Sequence, residues 1–189
     1  GALAVRVSRL EQERAIERPT DNMDAYDEVL RGRELLRRIE RASNLEARTL
    51  FERAREIDPD YADAYVGLAM THTYDLFYGW SEWRDRALER TRDLAETAIE
   101  LDEQSAQGHA LLALTLLFQQ QLDRAALEVE RALDLNPNDP QSLAIQGMIM
   151  TTRGEQERAV GALEQAIRLD PAPVAWWVTN LAEAYYLLG

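Results

Sequence analysis

The chain has 189 residues, of which 46% are apolar and 29% are charged, and this balance is typical of a soluble folded protein. It has no cysteine, which excludes disulfides, thiolate metal sites and cysteine nucleophiles and favours a cytoplasmic location. The net charge is −13, and residues 59–189 carry 9 Arg against 21 Asp and Glu. We therefore expect no nucleic-acid partner, because phosphate binding needs clustered cations. The absence of an apolar run of about eighteen residues predicts no membrane partner.

The first element, in residues 2–18, reads as an amphipathic helix with Leu3, Val7, Leu10 and Ile16 near one side. After it, three segments share one pattern: alanine, an apolar residue four positions later, alanine three later and proline five later. Helical geometry places the first three positions on one stripe, and the proline ends the helix. The stripes are Ala47, Phe51 and Ala54; Ala125, Val129 and Ala132; and Ala159, Leu163 and Ala166.

The prolines that end the last two of these helices, Pro137 and Pro171, are one repeat apart. The period and the pattern resemble the tetratricopeptide repeat, in which two antiparallel helices form each unit. The resemblance implies an all-α fold, a right-handed superhelix of antiparallel helix pairs. The repeats cover about 24–61, 62–105, 106–139 and 140–173, with a half repeat at 174–189. In the first repeat we expect about three extra residues in the turn near Ser43.

A second resemblance lies in the sequence at the start of the first repeat. It matches a stretch that introduces such repeats in other proteins, and the matching residues are Thr20, Asn22, Ala25, Tyr26, Leu30 and Gly32. Those proteins are bacterial class III adenylate or guanylate cyclases and related signalling proteins. The resemblance implies that residues 1–22 are a helix and linker ending a preceding domain, and that 23–189 form the repeat array. It implies a non-catalytic interaction or oligomerisation scaffold within a larger bacterial signalling protein. The alternative is a fragment of a cyclase whose catalytic domain lies upstream.

We expect no catalytic residue, cofactor or metal ion in this chain. No phosphate-binding loop, nucleophile elbow or HExxH motif is present. His72 and His109 are interpreted as structural histidines and not as metal ligands or bases. The polar residues of the turns, Asp58 with Asp60 and Asn136, Asn138 and Asp139, are expected to cap helices. Ser105 is expected to do the same.

Binding is expected on the concave surface, which is lined by the first helix of each repeat in the family that the chain resembles. The predicted groove is mostly apolar and without a cation, which favours an amphipathic or apolar segment of a protein or peptide as the partner. The alternative is that at least half of these residues pack against neighbouring first helices. The predicted groove residues are Val66, Met70, Tyr74, Ala110, Leu114, Leu117, Phe118, Ala144, Met148, Trp176 and Tyr186.

The second repeat contains about ten inserted residues, and they fall between its two helices in the aromatic stretch 74–83. We expect Gly79 to break a lengthened first helix and Ser81 to cap a long second helix. Trp80 and Trp83 are expected to fold back on Phe77 as a local core, and the alternative is a partner-binding lip formed by Phe77, Tyr78, Trp80 and Trp83. The half repeat exposes apolar surface at the C-terminal end, and this predicts self-association as a further mode of interaction.

Overall fold

The computed structural model describes residue 20, residues 22–170 and residues 173–189. The amphipathic segment 2–18 and Pro171 lie outside the described residues. The described part contains helices and turns without a β-strand. The helices are α1 (Met23–Leu36), α2 (Arg41–Ile57), α3 (Ala62–Phe77), α4 (Arg84–Leu101), α5 (Ala106–Phe118), α6 (Leu122–Leu135), α7 (Pro140–Thr152), α8 (Gln156–Leu169) and α9 (Ala175–Leu188).

The helices stack in chain order, and each packs against the next. The odd-numbered helices, which are the first helices of the repeats, also contact one another in series from α1 to α9. The even-numbered second helices make no comparable contacts among the described residues. The stack therefore curves with the first helices on its inner side, which makes it a solenoid with a concave face.

The alanine stripes of the second helices form the centre of the packing, as the sequence predicts. Their alanines in α2, α6 and α8 are fully buried, and so are the bulky residues Phe51, Val129 and Leu163 between them. Phe51 lies against two glycines: a Cβ added at Gly67 would be 2.3 Å from the phenyl ring, and one added at Gly32 would be 2.7 Å from it. Small residues thus let the first helices approach a bulky side chain of the second helix closely.

Several helix ends follow the sequence expectation. Asp139 caps α7 by accepting hydrogen bonds from the backbone N–H and the hydroxyl of Ser142, at 2.7 and 2.6 Å, with Pro140 as the first helical residue. Ser105 caps α5 by accepting from the backbone N–H of Gly108 at 3.2 Å. Asp58 does not cap α3; it accepts from the backbone N–H of Asp60 within the turn.

The connection between α1 and α2 differs from the expectation. The interhelix turn covers residues 37–40, and Ser43 lies buried inside α2. The extra residues extend α2, which has 17 residues whereas α6 and α8 have 14. The reason is that Asn44, the next residue, is buried and bonds to α3, so this first turn of the helix has its own packing partner.

The insertion in the second repeat lengthens both of its helices, as predicted. The first helix α3 has 16 residues against 13 in α5 and α7, and α4 has 18 against 14 in α6 and α8. Gly79, in the linker 78–83, has a φ of +64°, which favours glycine and turns the chain after α3. The predicted cap is wrong: α4 begins at Arg84, and Ser81 instead accepts from the backbone N–H of Trp83.

Candidate functional site

A pocket of about 420 Å³ opens on the concave face between α5, α7 and α9, and we call it the concave pocket. Its apolar part is formed by Leu117 and Phe118 of α5, Met148 of α7 and Leu187 of α9. Its polar part is Gln120, Thr151, Thr152, Asn180 and Glu183. The structure therefore brings Leu117, Phe118 and Met148 of the predicted groove together in one concavity.

Four of the predicted groove residues lie in the core instead. Val66, Ala110, Leu114 and Ala144 are at most 1% exposed, so they pack between neighbouring helices and do not line an open surface. The physical reason is the direct contact between successive first helices, which buries the side of each helix that a looser stack would expose. Met70 and Tyr74 are half-buried and pack against the core cluster formed mainly by α1 and α2.

The groove-facing side of α9 is shifted by one residue from the expectation. Tyr186 is 84% exposed and does not line the pocket, whereas Asn180, Glu183 and Leu187 do. These three follow Trp176 at spacings of four, three and four residues, which places all four on one side of the helix. The sequence signal that could have found Asn180 and Leu187 is this spacing from Trp176.

An aromatic stack joins α3 to α9 across the concave face. The rings of Phe77 in α3 and Trp176 in α9 lie parallel, with an interplanar angle of 1° and 4.6 Å between their centroids. Phe118 of α5 lies 5.9 Å from Phe77, and the guanidinium carbon of Arg84 is 5.3 Å from the centre of the Phe118 ring. Arg84 thus places a cation beside Phe118, whereas the described residues that line the concave pocket include none, and a groove without a cation stays a prediction.

The inserted aromatic stretch does not pack as predicted. Trp80 stacks on Tyr78 at 5.0 Å, and Trp83 is 68% exposed, so neither covers Phe77. Phe77 has a longer-range partner in Trp176, and this contact leaves Trp80 to pack within its own turn. Burial, with the neighbouring Tyr78 and Asp170 as smaller causes, raises the pKa of Tyr74 to about 12. Whether Phe77, Tyr78, Trp80 and Trp83 form a lip for a partner stays a prediction.

A polar network fixes the end of α3 against α2. Asp75 accepts hydrogen bonds from the Arg48 guanidinium at 2.7 Å and from the Asn44 amide at 3.0 Å. Arg48 also donates to the Thr71 hydroxyl, and Asn44 donates to the Thr71 carbonyl, each at 3.0 Å. The backbone carbonyl of Asp75 accepts from the backbone N–H of Trp80 at 3.0 Å. The network thus orients the aromatic turn that follows α3.

The two histidines make contacts within the repeats. His109 Nδ1 is 2.7 Å from a carboxylate oxygen of Glu128, and its Nε2 is 3.3 Å from the Glu103 carbonyl. His72 Nδ1 is 3.9 Å from a carboxylate oxygen of Asp75. Within the described residues, no three His, Asp or Glu side chains are grouped so that they could hold a metal ion.

His72 predicts a pH dependence of stability. Burial, and then the neighbouring Arg48 guanidinium, lower its pKa from 6.5 to about 4. The unfolded chain therefore takes up a proton between pH 6.5 and 4 that the folded chain does not, so stability falls as the pH falls through this range. We expect the difference in free energy of unfolding between the wild type and His72→Gln to change by about 2–3 kcal/mol between about pH 7 and 4. Urea unfolding of both proteins checks this, and parallel pH profiles would contradict it.

Comparisons with known proteins agree with this architecture. No protein-family model matches the chain. The solved structure of TTC0263, a thermophilic TPR protein of Thermus thermophilus, superposes with a TM-score of 0.66 at 18% identity, over 98% of this chain and 96% of that chain. The chain has the tetratricopeptide-repeat fold. The human IFIT1 dimer with m7Gppp-AAAA gives a TM-score of 0.72 at 18% identity, over 87% of this repeat chain and 36% of that one.

One relative connects the repeat region with cyclases. The protein named "Putative adenylate cyclase 3" of Rhizobium meliloti (strain 1021) is 34% identical over 124 residues. The match covers 66% of this tetratricopeptide-repeat chain and 21% of the relative, so it spans about a fifth of that protein's length. The repeat region thus resembles part of a protein named as a cyclase.

Proposed function

We propose that this chain is a protein-interaction region that binds an apolar or amphipathic segment of a partner protein in the concave pocket. The observation that carries the proposal is the convergence of Leu117, Phe118, Met148 and Leu187, from three first helices, on one opening of about 420 Å³. An amphipathic helix or extended segment places apolar side chains at intervals that fit such a groove. Met148, an unbranched and polarizable side chain, adapts to different apolar ligands.

The charge of the chain supports a protein ligand over a nucleic acid. The IFIT1 structure, which is similar to this chain over 36% of its own length, is a dimer with m7Gppp-AAAA, so the fold alone does not decide between these ligands. In this chain residues 59–189 have an excess of 12 negative charges, and the pocket carries Glu183 without an ion-pair partner among the described residues. A phosphate backbone would be repelled there, whereas a basic residue beside an apolar anchor would be attracted.

The proposal predicts that Met148→Glu weakens binding at least about tenfold, because an apolar ligand would bury the new carboxylate without a partner. A phage-displayed library of random dodecapeptides, selected on the 189-residue chain, supplies ligands whose affinity for the variant is measured by fluorescence anisotropy. Leu127→Glu is the matched control, since Leu127 is 66% exposed on α6, a second helix outside the concave pocket. Failure to select any peptide, or ligands that bind both variants equally, would overturn the proposal.

We further propose that this region belongs to a cytoplasmic bacterial signalling protein and regulates a nucleotide cyclase domain encoded upstream. The 34% identity over 124 residues to the cyclase-named relative supports this context, and the lack of cysteine supports the cytoplasm. Cyclic nucleotide production by a full-length protein, with and without residues 23–189, tests the regulatory role. Identical activity and identical response to the selected peptides would contradict it.

Self-association through α9 stays part of the proposal. On this helix only Trp177 and Ala184 are buried, whereas Val178, Tyr185, Tyr186, Leu187 and Leu188 are each at least 46% exposed. An apolar surface of this kind favours a partner, and a second copy of the chain is one candidate.

A further inference from the structure

The stack of Trp176 on Phe77 is a contact between side chains whose helices are not neighbours. As helices, α9 packs against α8 and α7, and α3 packs against α1, α2, α4 and α5. Trp176 lies in the first turn of α9 and reaches across the concave face to the last residue of α3. The indole thus lies flat on the phenyl ring, with 4.6 Å between the ring centroids.

The surroundings of Phe77 form a site for a flat aromatic group. Phe77 supplies the face on which the indole lies, and Phe118, tilted by 58°, borders Phe77 on α5. Phe118 also lines the concave pocket, so the stacking site and the pocket are continuous. Glu183 in the pocket adds a negative charge close to this junction. The matching ligand therefore carries a planar aromatic side chain, apolar neighbours and a basic residue.

Trp176 has contacts besides its stack on Phe77: it packs against the core cluster centred on α5, and its ring lies edge-on to that of Trp177 at 5.8 Å. The α9 helix buries only Trp177 and Ala184 in the core, and Trp176 itself is half-buried. An aromatic stack of this type contributes a factor of about two to twelve to an equilibrium constant. A competing aromatic side chain must therefore add contacts in the concave pocket that outweigh both this stack and the other packing contacts of Trp176.

We propose that the face of Phe77 covered by Trp176 in this structure is a binding site for an aromatic anchor of the protein partner, and that Trp176 occupies this site in the free chain. The proposal rests on the proposed function, since it names the side chain that the partner inserts next to the concave pocket. Trp176 acts as an internal competitor: the partner binds more weakly while the indole covers Phe77, and binding frees the start of α9.

The test measures the binding of N-acetyl-tryptophanamide, an uncharged mimic of a tryptophan side chain in a peptide, by ligand-observed NMR. We expect Trp176→Ala to bind this probe about two to twelve times more tightly than the wild type, because the site is empty. Adding Phe77→Ala to Trp176→Ala should abolish this gain. Trp83→Ala, which removes the 68% exposed indole of the linker, is the matched control and should bind like the wild type.

A second measurement on the wild-type chain keeps the proposal testable if Trp176→Ala alters the fold. The Trp176 indole, shifted in the spectrum by the Phe77 ring, should move when the probe is added at high concentration. The proposal would be overturned if the tighter binding of the probe persisted without Phe77, or if the wild type and Trp176→Ala bound the probe equally. An unmoved Trp176 signal would also overturn it. Stronger binding of adenosine monophosphate than of the tryptophan probe would overturn it in favour of a nucleotide.

The two proposals fail in different ways. If Met148→Glu abolishes the binding of selected peptides while the affinity of the tryptophan probe does not depend on Phe77, the interaction function stands and the aromatic site does not. If the probe depends on Phe77 but the peptides do not depend on Met148, the aromatic site stands and the concave pocket does not.

Discussion

Replacing Phe51 with alanine is expected to lower the free energy of unfolding by about 3–5 kcal/mol. The Phe51 ring is fully buried, and it contacts glycines from two different repeats, Gly32 in α1 and Gly67 in α3. Removing the ring leaves a cavity that the two glycines cannot fill. The substitution also removes a packing contact between the first repeat and the second. Urea unfolding followed by circular dichroism measures the effect.

The control for Phe51 is Leu127→Ala, which removes an apolar side chain that is 66% exposed on α6. Substitutions on such surfaces usually change stability by no more than about 0.5 kcal/mol. If Phe51→Ala and Leu127→Ala gave equal free energies of unfolding, the packing described for the first two repeats would be wrong.

Gly67→Ala and Gly161→Ala, the same substitution inside two helices, are expected to have opposite effects. A Cβ at Gly67 would lie 2.3 Å from the ring of Phe51, which has no free space to move into, so overpacking should cost about 1–3 kcal/mol. A Cβ at Gly161 meets nothing within 4 Å, so the better helix propensity of alanine should stabilise by about 0.5–1 kcal/mol.

The expected gap between the two glycine variants is therefore about 1.5–4 kcal/mol in the free energy of unfolding. Thermal and urea unfolding of both proteins beside the wild type measure it. Equal effects of the two substitutions would show that the close approach of α3 to Phe51 does not determine the stability of these repeats.

The sequence predicts most of the fold because the repeat signal is local. The stripe of Ala125, Val129 and Ala132 needs only helical spacing to define a packing face, and all three residues are buried as expected. The lengthened hairpin around Gly79 is likewise visible as a departure from the repeat period. These features depend on residues within one repeat and its neighbour.

The groove was harder to predict because it depends on the curvature of the whole stack. Val66 and Leu114 have groove-like positions in their repeats, yet the direct contact between first helices buries them. The stack of Phe77 on Trp176 joins the second repeat to the last helix, and no spacing within a repeat encodes such a contact. The network of Asn44, Arg48 and Asp75 was missed because polar residues inside an amphipathic helix usually face solvent.

Met148 lies on α7, which packs against both α5 and α9, the other helices of the concave pocket, so its signal reports directly on binding there. The measurement is a methyl NMR titration of the 189-residue chain with a selected peptide. If the partner binds in the concave pocket, the signals of the lining residues Met148, Leu117 and Leu187 shift with one common dissociation constant, while that of Leu127 does not. Shifts confined to Leu127 and other residues of the second helices would contradict the claim that the concave pocket is the binding surface.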